Sequence, residues 1–332
     1  MASPEVRASR TILRPPAPWA ALDWLRRVHS PVRRIVRRTG RILRAWLART
    51  PTDVDPRDRI GVATWMVVLG LGVSLLLELP SAEISFWAFG SPVTIPITGP
   101  LIAAVYLAVL AAAGAHSVVT VHSLYITGAT KRRTWTYWAL PMALTILATM
   151  LLPTAPSAFI QVIGLLLSGV LLGLAYGGLY VTVAPGKPGF RRARLWLDAL
   201  AYGSALLLFL FVYQTRTRSL VSGTLVAITA LLLAIEILRT ATDRSLVAIT
   251  YGGIIGLVLG QVTWALNYWV LPGLTGGLLL LLIFYLMVGI AQQGLLGRLN
   301  RRVLLEFAIF TVVALALIVL VGPGFSLAPP AG

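Results

Sequence analysis

The chain has 332 residues, of which 58% are hydrophobic and only 12% charged, and its formal net charge is +17. Soluble domains carry about 25% charged residues, so this composition excludes a water-soluble globular fold, because too little polar surface is available to cover the core. The absence of cysteine excludes disulfides, thiolate metal sites and cysteine nucleophiles. We therefore predict a protein that crosses a membrane several times.

Residues 1–59 form a basic arm that contains 14 of the 28 Lys and Arg residues. Between Pro31 and Pro51, apolar residues recur every three or four positions and arginines fill most of the gaps, a pattern typical of an amphipathic helix. We expect this cytoplasmic arm to lie on anionic lipid headgroups. A nucleic-acid-binding arm is the alternative, but it lacks a recognition motif. A later start codon would remove the arm altogether.

The first long apolar run is Ile60 to Leu79, and no cleavable signal peptide precedes it. Its twenty residues span about 30 Å as a helix, which is the thickness of bilayer hydrocarbon. Because the arginines of the arm come before it, the N-terminal end of this first crossing should face the cytoplasm. We expect it to remain in the protein as an uncleaved anchor.

The segment from Ser81 to Thr98 is too interrupted to cross a membrane. Apolar and polar residues alternate from Val93 to Ile97, which is a strand pattern, and a turn signal, Gly90-Ser91-Pro92, precedes them. The sequence therefore predicts one small extracytoplasmic β-hairpin between the first two crossings.

The rest of the chain predicts an all-α polytopic transmembrane helix bundle over residues 60–322, with an external tail at 323–332. Twelve of the 14 basic residues beyond the arm fall in predicted cytoplasmic loops or helix ends. This distribution places the N-terminus inside and the C-terminus outside the cytoplasmic (inner) membrane of the cell. With the first crossing, the predicted crossings number about nine, and the other eight are Pro100–Leu124, Trp135–Leu152, Ser157–Val183, Leu195–Tyr213, Leu220–Leu238, Leu246–Val270, Leu274–Leu296 and Val303–Val321.

Two crossings carry three glycines spaced four residues apart, which leaves a groove that another helix can approach closely. Tight packing within the bundle is the favoured interpretation, and a dimer face or a sliding interface is the alternative. The two sets are Gly169, Gly173 and Gly177 on the fourth crossing, and Gly252, Gly256 and Gly260 on the seventh.

Three carboxylates lie close to predicted cytoplasmic helix ends, where an ionisable group is costly unless it is paired. Each is one helical turn from an arginine, so a local ion pair is the favoured interpretation and a proton or cation relay the alternative. The pairs are Asp198 with Arg194, Glu236 with Arg239, and Glu306 with Arg302.

Other polar residues of the crossings are weaker candidates. His116 and His122 lie about 120° apart around one helix, so they share a face poorly and suggest packing rather than a metal site. Gln261, with Trp264 and Asn267, forms a polar patch on the seventh crossing that is typical of interhelical hydrogen bonds. A second patch, Gln292 and Gln293, has the same interpretation. No metal or cofactor is predicted.

The first crossing, the Phe89–Pro92 turn and the alanine-rich second crossing resemble a family of uncharacterised bacterial multi-pass membrane proteins that is defined by a domain of unknown function. The resemblance covers roughly residues 60–320 and implies no catalytic or binding residues.

No nucleotide-binding, hydrolase or metalloprotease motif occurs in the chain. The leading functional hypothesis is therefore a non-enzymatic membrane protein that acts as a scaffold or binds a membrane-protein partner or a second copy. A small-solute or ion permease is the alternative. An intramembrane enzyme acting on lipid is a third class, and it would need a lateral opening lined by several polar side chains.

Overall fold

The structure is a computed structural model, and it describes residues 55–77, 82–88, 91–126, 133–186, 188–215, 219–242, 244–268 and 273–321. The chain divides into two units at residues 53 and 54, and all of the described residues belong to the second. The predicted amphipathic helix of the arm and the predicted external tail lie outside the described residues.

The described part of the chain is built almost entirely from helices. Two 3₁₀ helices, Thr134–Tyr137 and Leu152–Thr154, flank the fourth α-helix. The α-helices, numbered in chain order, are α1 Pro56–Leu76, α2 Gly99–Thr120, α3 Ser123–Ile126, α4 Ala139–Leu151, α5 Ala158–Val181, α6 Phe190–Thr215, α7 Ser219–Leu238, α8 Ser245–Asn267, α9 Gly273–Leu295 and α10 Arg301–Val321.

Helix α1 begins four residues before the predicted crossing because local signals start it there. The Asp55 side chain accepts a hydrogen bond from the backbone N–H of Arg57 at 3.0 Å, which satisfies one free donor of the first turn. Pro56 occupies the first helical turn, where its missing N–H costs nothing. Residues 56–59, predicted to belong to the arm, are thus part of the first helix.

Two short strands connect α1 to α2. Strands β1 (Ala82–Ala88) and β2 (Ser91–Ile97) pair antiparallel, with Ala82 opposite Ile97 and Ala88 opposite Ser91. This pairing falls on the segment for which the sequence predicts a hairpin.

Eight helical segments in the described part of the chain are long and apolar enough to cross a membrane. They correspond to eight of the nine predicted crossings. The remaining one, α7, contributes a shorter apolar stretch, Ser222–Leu238, within the residues whose side chains are described. The protein is thus a multi-pass membrane protein by the length and composition of its helices.

Among the described helices, α7 and α8 make the most extensive contact, and glycine makes it possible. A Cβ placed on Gly256 would collide with the backbone carbonyl oxygen of Ala227, and one on Gly260 would lie 3.0 Å from the carbonyl oxygen of Gly223. We call this row of contacts the glycine seam. It confirms the packing interpretation for the glycines of α8, which face α7 of the same chain.

Two of the three spaced glycines of α5 face α1 instead. A Cβ on Gly169 would lie 2.9 Å from a methyl group of Val68, and one on Gly173 would lie 3.7 Å from Thr64 Oγ1. Gly177, the third glycine of the set, has no atom within 4 Å of that position. Two of the three glycines therefore serve packing within the bundle.

We predict that Gly256→Ala destabilises the protein by about 1–3 kcal/mol, because the added methyl group forces α7 and α8 apart. Gly253→Ala is the matched control, since a Cβ on Gly253 has no atom within 4 Å. It should be neutral or stabilising by up to about 1 kcal/mol through helix propensity. Unfolding of the purified variants in detergent measures both effects. Equal effects would show that the seam does not hold the two helices together.

Candidate functional site

All three predicted ion pairs form. Their shortest nitrogen–oxygen distances are 2.9 Å for Arg194–Asp198, 2.6 Å for Arg239–Glu236 and 3.4 Å for Arg302–Glu306. The Arg239–Glu236 pair is buried, the Arg194–Asp198 pair is half-buried, and the Arg302–Glu306 pair is exposed. The prediction of local ion pairs is confirmed.

The Arg239–Glu236 pair is fully buried and bidentate. Nε of Arg239 donates to Oε2 of Glu236 at 2.9 Å, and Nη2 donates to Oε1 at 2.6 Å. Nη2 also donates to Oγ1 of Thr182 at 3.2 Å, and the guanidinium carbon lies 4.5 Å from the centre of the Tyr137 ring. These contacts supply the several hydrogen bonds that a charge needs when it is removed from water.

Arg194 links its own pair with Asp198 to the end of α7. It donates to the backbone carbonyls of Glu236 at 3.3 Å and Ile237 at 2.7 Å, which α7 leaves without helical partners. A cation at this position also interacts favourably with the negative end of the α7 dipole. We call Arg194, Asp198, Glu236 and Arg239 the charge clamp.

The clamp connects four segments at one end of the bundle. Arg194 and Asp198 lie on α6, and Glu236 is on α7, whose C-terminal end Arg239 follows. Thr182 caps the end of α5, and Tyr137 ends the 3₁₀ helix before α4. Two positive and two negative charges make the clamp electrically neutral, so its chemistry suits joining helices rather than holding a charged ligand.

Nothing in the sequence pattern indicated Thr182 and Tyr137 as partners of the charge clamp. Thr182 lies 57 positions before Arg239, and the two carbonyls that bind Arg194 lie 42 and 43 positions after it. Helical spacing identifies partners three or four residues apart, so it gives no signal for contacts between distant segments.

The two histidines lie in different surroundings. Nδ1 of His116 is 3.1 Å from Oγ1 of Thr134, and its ring packs edge-on against Trp138. His122 is buried, with its ring centre 5.1 Å from that of Tyr180. No three His, Asp or Glu side chains among the described residues come together in a way that could hold a metal ion.

The predicted polar patch of α8 splits into two different environments. Asn267 donates from Nδ2 to Oγ of Ser222 on α7 at 3.0 Å, so it makes the expected interhelical hydrogen bond. Gln261 is exposed, and among the described residues its carboxamide makes no hydrogen bond. Gln292 and Gln293 are half-buried near the end of α9.

Gln261 lines a groove between α7 and α8 with a volume of about 440 Å³. Its other lining residues are apolar, apart from Thr224. Gly223, Gly253 and Gly260 lie along it, and Trp264 borders it close to Gln261. We call it the α7/α8 groove.

Helices of this length and composition, joined inside the bundle by ion pairs, define a multi-pass helical membrane protein. The family model "Protein of unknown function (DUF5656)" matches residues 79–321, which include α2 to α10, and the chain belongs to this family. No curated protein and no solved structure matches the chain significantly. The resemblance to an uncharacterised family is confirmed, although the matched part begins after α1.

We predict that Glu236→Gln lowers the free energy of unfolding by about 3–5 kcal/mol, because it leaves Arg239 buried without its counter-charge. The control Glu306→Gln, which removes an exposed partner, should leave the unfolding midpoint unchanged. The double variant Glu236→Leu/Arg239→Met should be less destabilised than Glu236→Gln alone, since it removes both charges. Denaturation in detergent provides the comparison, and an equal loss in single and double variants would contradict this account.

Proposed function

We propose that the chain crosses the cytoplasmic membrane nine times, with its N-terminus inside and β1 and β2 outside. Two observations support this proposal. All 20 residues of α7 would span about 30 Å, enough to make it the ninth crossing. With nine crossings, twelve of the 14 basic residues beyond residue 59 fall on the cytoplasmic side. The charge clamp then lies at the cytoplasmic end of the bundle.

Because the chain has no cysteine, single cysteines can report this orientation directly. Thr154→Cys, before α5, should react with a membrane-impermeant maleimide in intact cells. Leu299→Cys, between α9 and α10, should react only after the cells are permeabilised. Both side chains are exposed, so both thiols should be reachable. The reverse pattern would contradict the proposed orientation.

We propose that the protein is a non-enzymatic scaffold that binds the transmembrane helix of a partner in the α7/α8 groove. The observation that carries this proposal is the position of Gln261. It lies six residues before the end of α8, about 9 Å along the axis, and α8 is about 35 Å long. In a bilayer centred on α8 its carboxamide would lie within the hydrocarbon, where a polar group without a partner costs about 2–7 kcal/mol.

A partner helix is the occupant that satisfies this carboxamide best. Lipid tails offer no hydrogen-bonding group at that depth, whereas a transmembrane helix can present Ser, Thr, Asn or Gln there. Gly253, which lines the groove and has no atom within 4 Å of a Cβ position, allows a close approach of the partner's backbone.

The other functions suggested by the sequence have less support. A permease that uses Asp198, Glu236 and Glu306 needs at least two of these carboxylates to face one water-filled cavity, but an arginine engages each of them. An enzyme that acts on lipid needs several polar side chains at a lateral opening, and the α7/α8 groove offers Gln261 and Thr224. The geometry thus favours the binding of a partner.

We predict that Gly253→Leu abolishes co-purification of the partner in mild detergent. A Cβ on Gly253 meets no atom within 4 Å, so the new side chain can fill the groove without disturbing the bundle. Gly177→Leu on α5 is the matched control, because it makes the same exchange at another open site and should retain the partner.

Gln261→Leu should weaken the complex by about 3- to 18-fold, the equivalent of one interhelical hydrogen bond. Quantitative immunoblotting of the partner against the tagged chain measures each loss. Two results would contradict the proposal: partner binding that survives Gly253→Leu, or purification of the wild type as a partner-free monomer that transports a solute in liposomes.

A further inference from the structure

A second pocket, of about 390 Å³, lies at the end of the bundle opposite the charge clamp. It is formed where α1 and α4 end and α2 and α5 begin. Leu77, five residues before β1, and Gly99, two residues after β2, both line it. We call it the end pocket, and its polar side chains are Ser74, Thr149 and Gln161.

The two hydroxyl groups of the end pocket can only accept hydrogen bonds from a ligand. Oγ of Ser74 donates its hydrogen to the carbonyl of Leu71 at 2.7 Å, and Oγ1 of Thr149 donates to the carbonyl of Thr145 at 2.7 Å. A hydroxyl has one hydrogen and two lone pairs, so once the hydrogen is used only the lone pairs can bond to a ligand. A ligand that uses both hydroxyls must therefore bring its own O–H or N–H donors.

Gln161 supplies the complementary groups. Its carboxamide is half-buried and makes no hydrogen bond within the described part of the chain. It offers two N–H donors and a carbonyl acceptor. A ligand group that both donates and accepts, as a hydroxyl does, matches all three side chains.

The end pocket favours a ligand group without charge. Its described lining contains no Lys, Arg, His, Asp or Glu. Two helices begin there and two end there, so the positive and negative ends of their dipoles offset each other. The volume lies at the lower end of the range for small-molecule sites, about 300–1,000 Å³.

We propose that the end pocket binds a small polyol group through Gln161, Ser74 and Thr149. Such a group has two sources, a free sugar alcohol or the glycerol headgroup of a phosphatidylglycerol molecule. Both can reach the pocket, because Ser74 lies two residues before the end of α1, about 3 Å along its axis.

The experiment uses the full chain with a single cysteine, Ala103→Cys, which lines the end pocket. A small thiosulfonate reagent modifies this thiol in phosphatidylcholine nanodiscs, with and without D-mannitol. At ten times the dissociation constant, mannitol should slow modification about tenfold, because that is the factor by which the free pocket is depleted. If mannitol has no effect but nanodiscs that contain phosphatidylglycerol protect the thiol from modification, the polyol group comes from the lipid headgroup.

Three controls make the result specific. Mannitol should not slow modification of Thr154→Cys, which is exposed and outside the described lining of the pocket. Gln161→Leu should abolish the protection, whereas Gln293→Leu on α9, also half-buried, should keep it. Ser74→Ala provides an independent loss of affinity if Gln161→Leu fails to fold.

Several results would overturn the proposal. They are a thiol at position 103 that the reagent never reaches, protection by neither mannitol nor phosphatidylglycerol, equal protection at position 154, and protection that survives both Gln161→Leu and Ser74→Ala.

Discussion

The structure depends most on the buried, bidentate ion pair between Arg239 and Glu236. Removing each charge from water costs several kcal/mol, and only good geometry and further hydrogen bonds compensate for that cost. Thr182 and the ring of Tyr137 also contact the guanidinium, whose Nη1 has no hydrogen-bond partner among the described residues. Because these partners come from separate segments, the charges are satisfied only when the ends of α5 and α7 and the 3₁₀ helix before α4 meet. The pair thus makes one arrangement of these ends much more favourable than others.

Helix α7 is held by other segments at both of its ends and along its length. Arg194 binds the carbonyls at its C-terminal end, and Asn267 of α8 bonds to Ser222 near its start. Between these points the glycine seam brings the backbones of α7 and α8 into contact, which fixes their relative register. The α7/α8 groove is therefore a feature of a rigid helix pair, and a partner helix would meet a surface that is already formed.

The sequence predicted the helices well because lipid leaves a membrane-spanning chain few alternatives. Every backbone group has to bond within its own helix, so apolar length locates each element to within a few residues. Ion pairs one turn apart followed from helical spacing, as with Asp198 and Arg194. Contacts between distant helices left no such pattern, which is why Thr182 went unnoticed. Composition also could not show that Asn267 faces α7 whereas Gln261 faces outward, because rotation about the helix axis is set by packing.

Two sets of polar side chains lie toward opposite ends of the bundle. At the clamp, each charged side chain has an oppositely charged partner, and the net charge is zero. Toward the opposite end, Gln161 lies in the first turn of α5 and Gln261 in the last two turns of α8, and both carboxamides lack partners in the described structure. A group that is already bonded gains little from a ligand, whereas an unbonded one in an apolar setting gains a full hydrogen bond. The clamp is thus suited to hold the helices together, and the opposite half of the bundle is suited to bind other molecules.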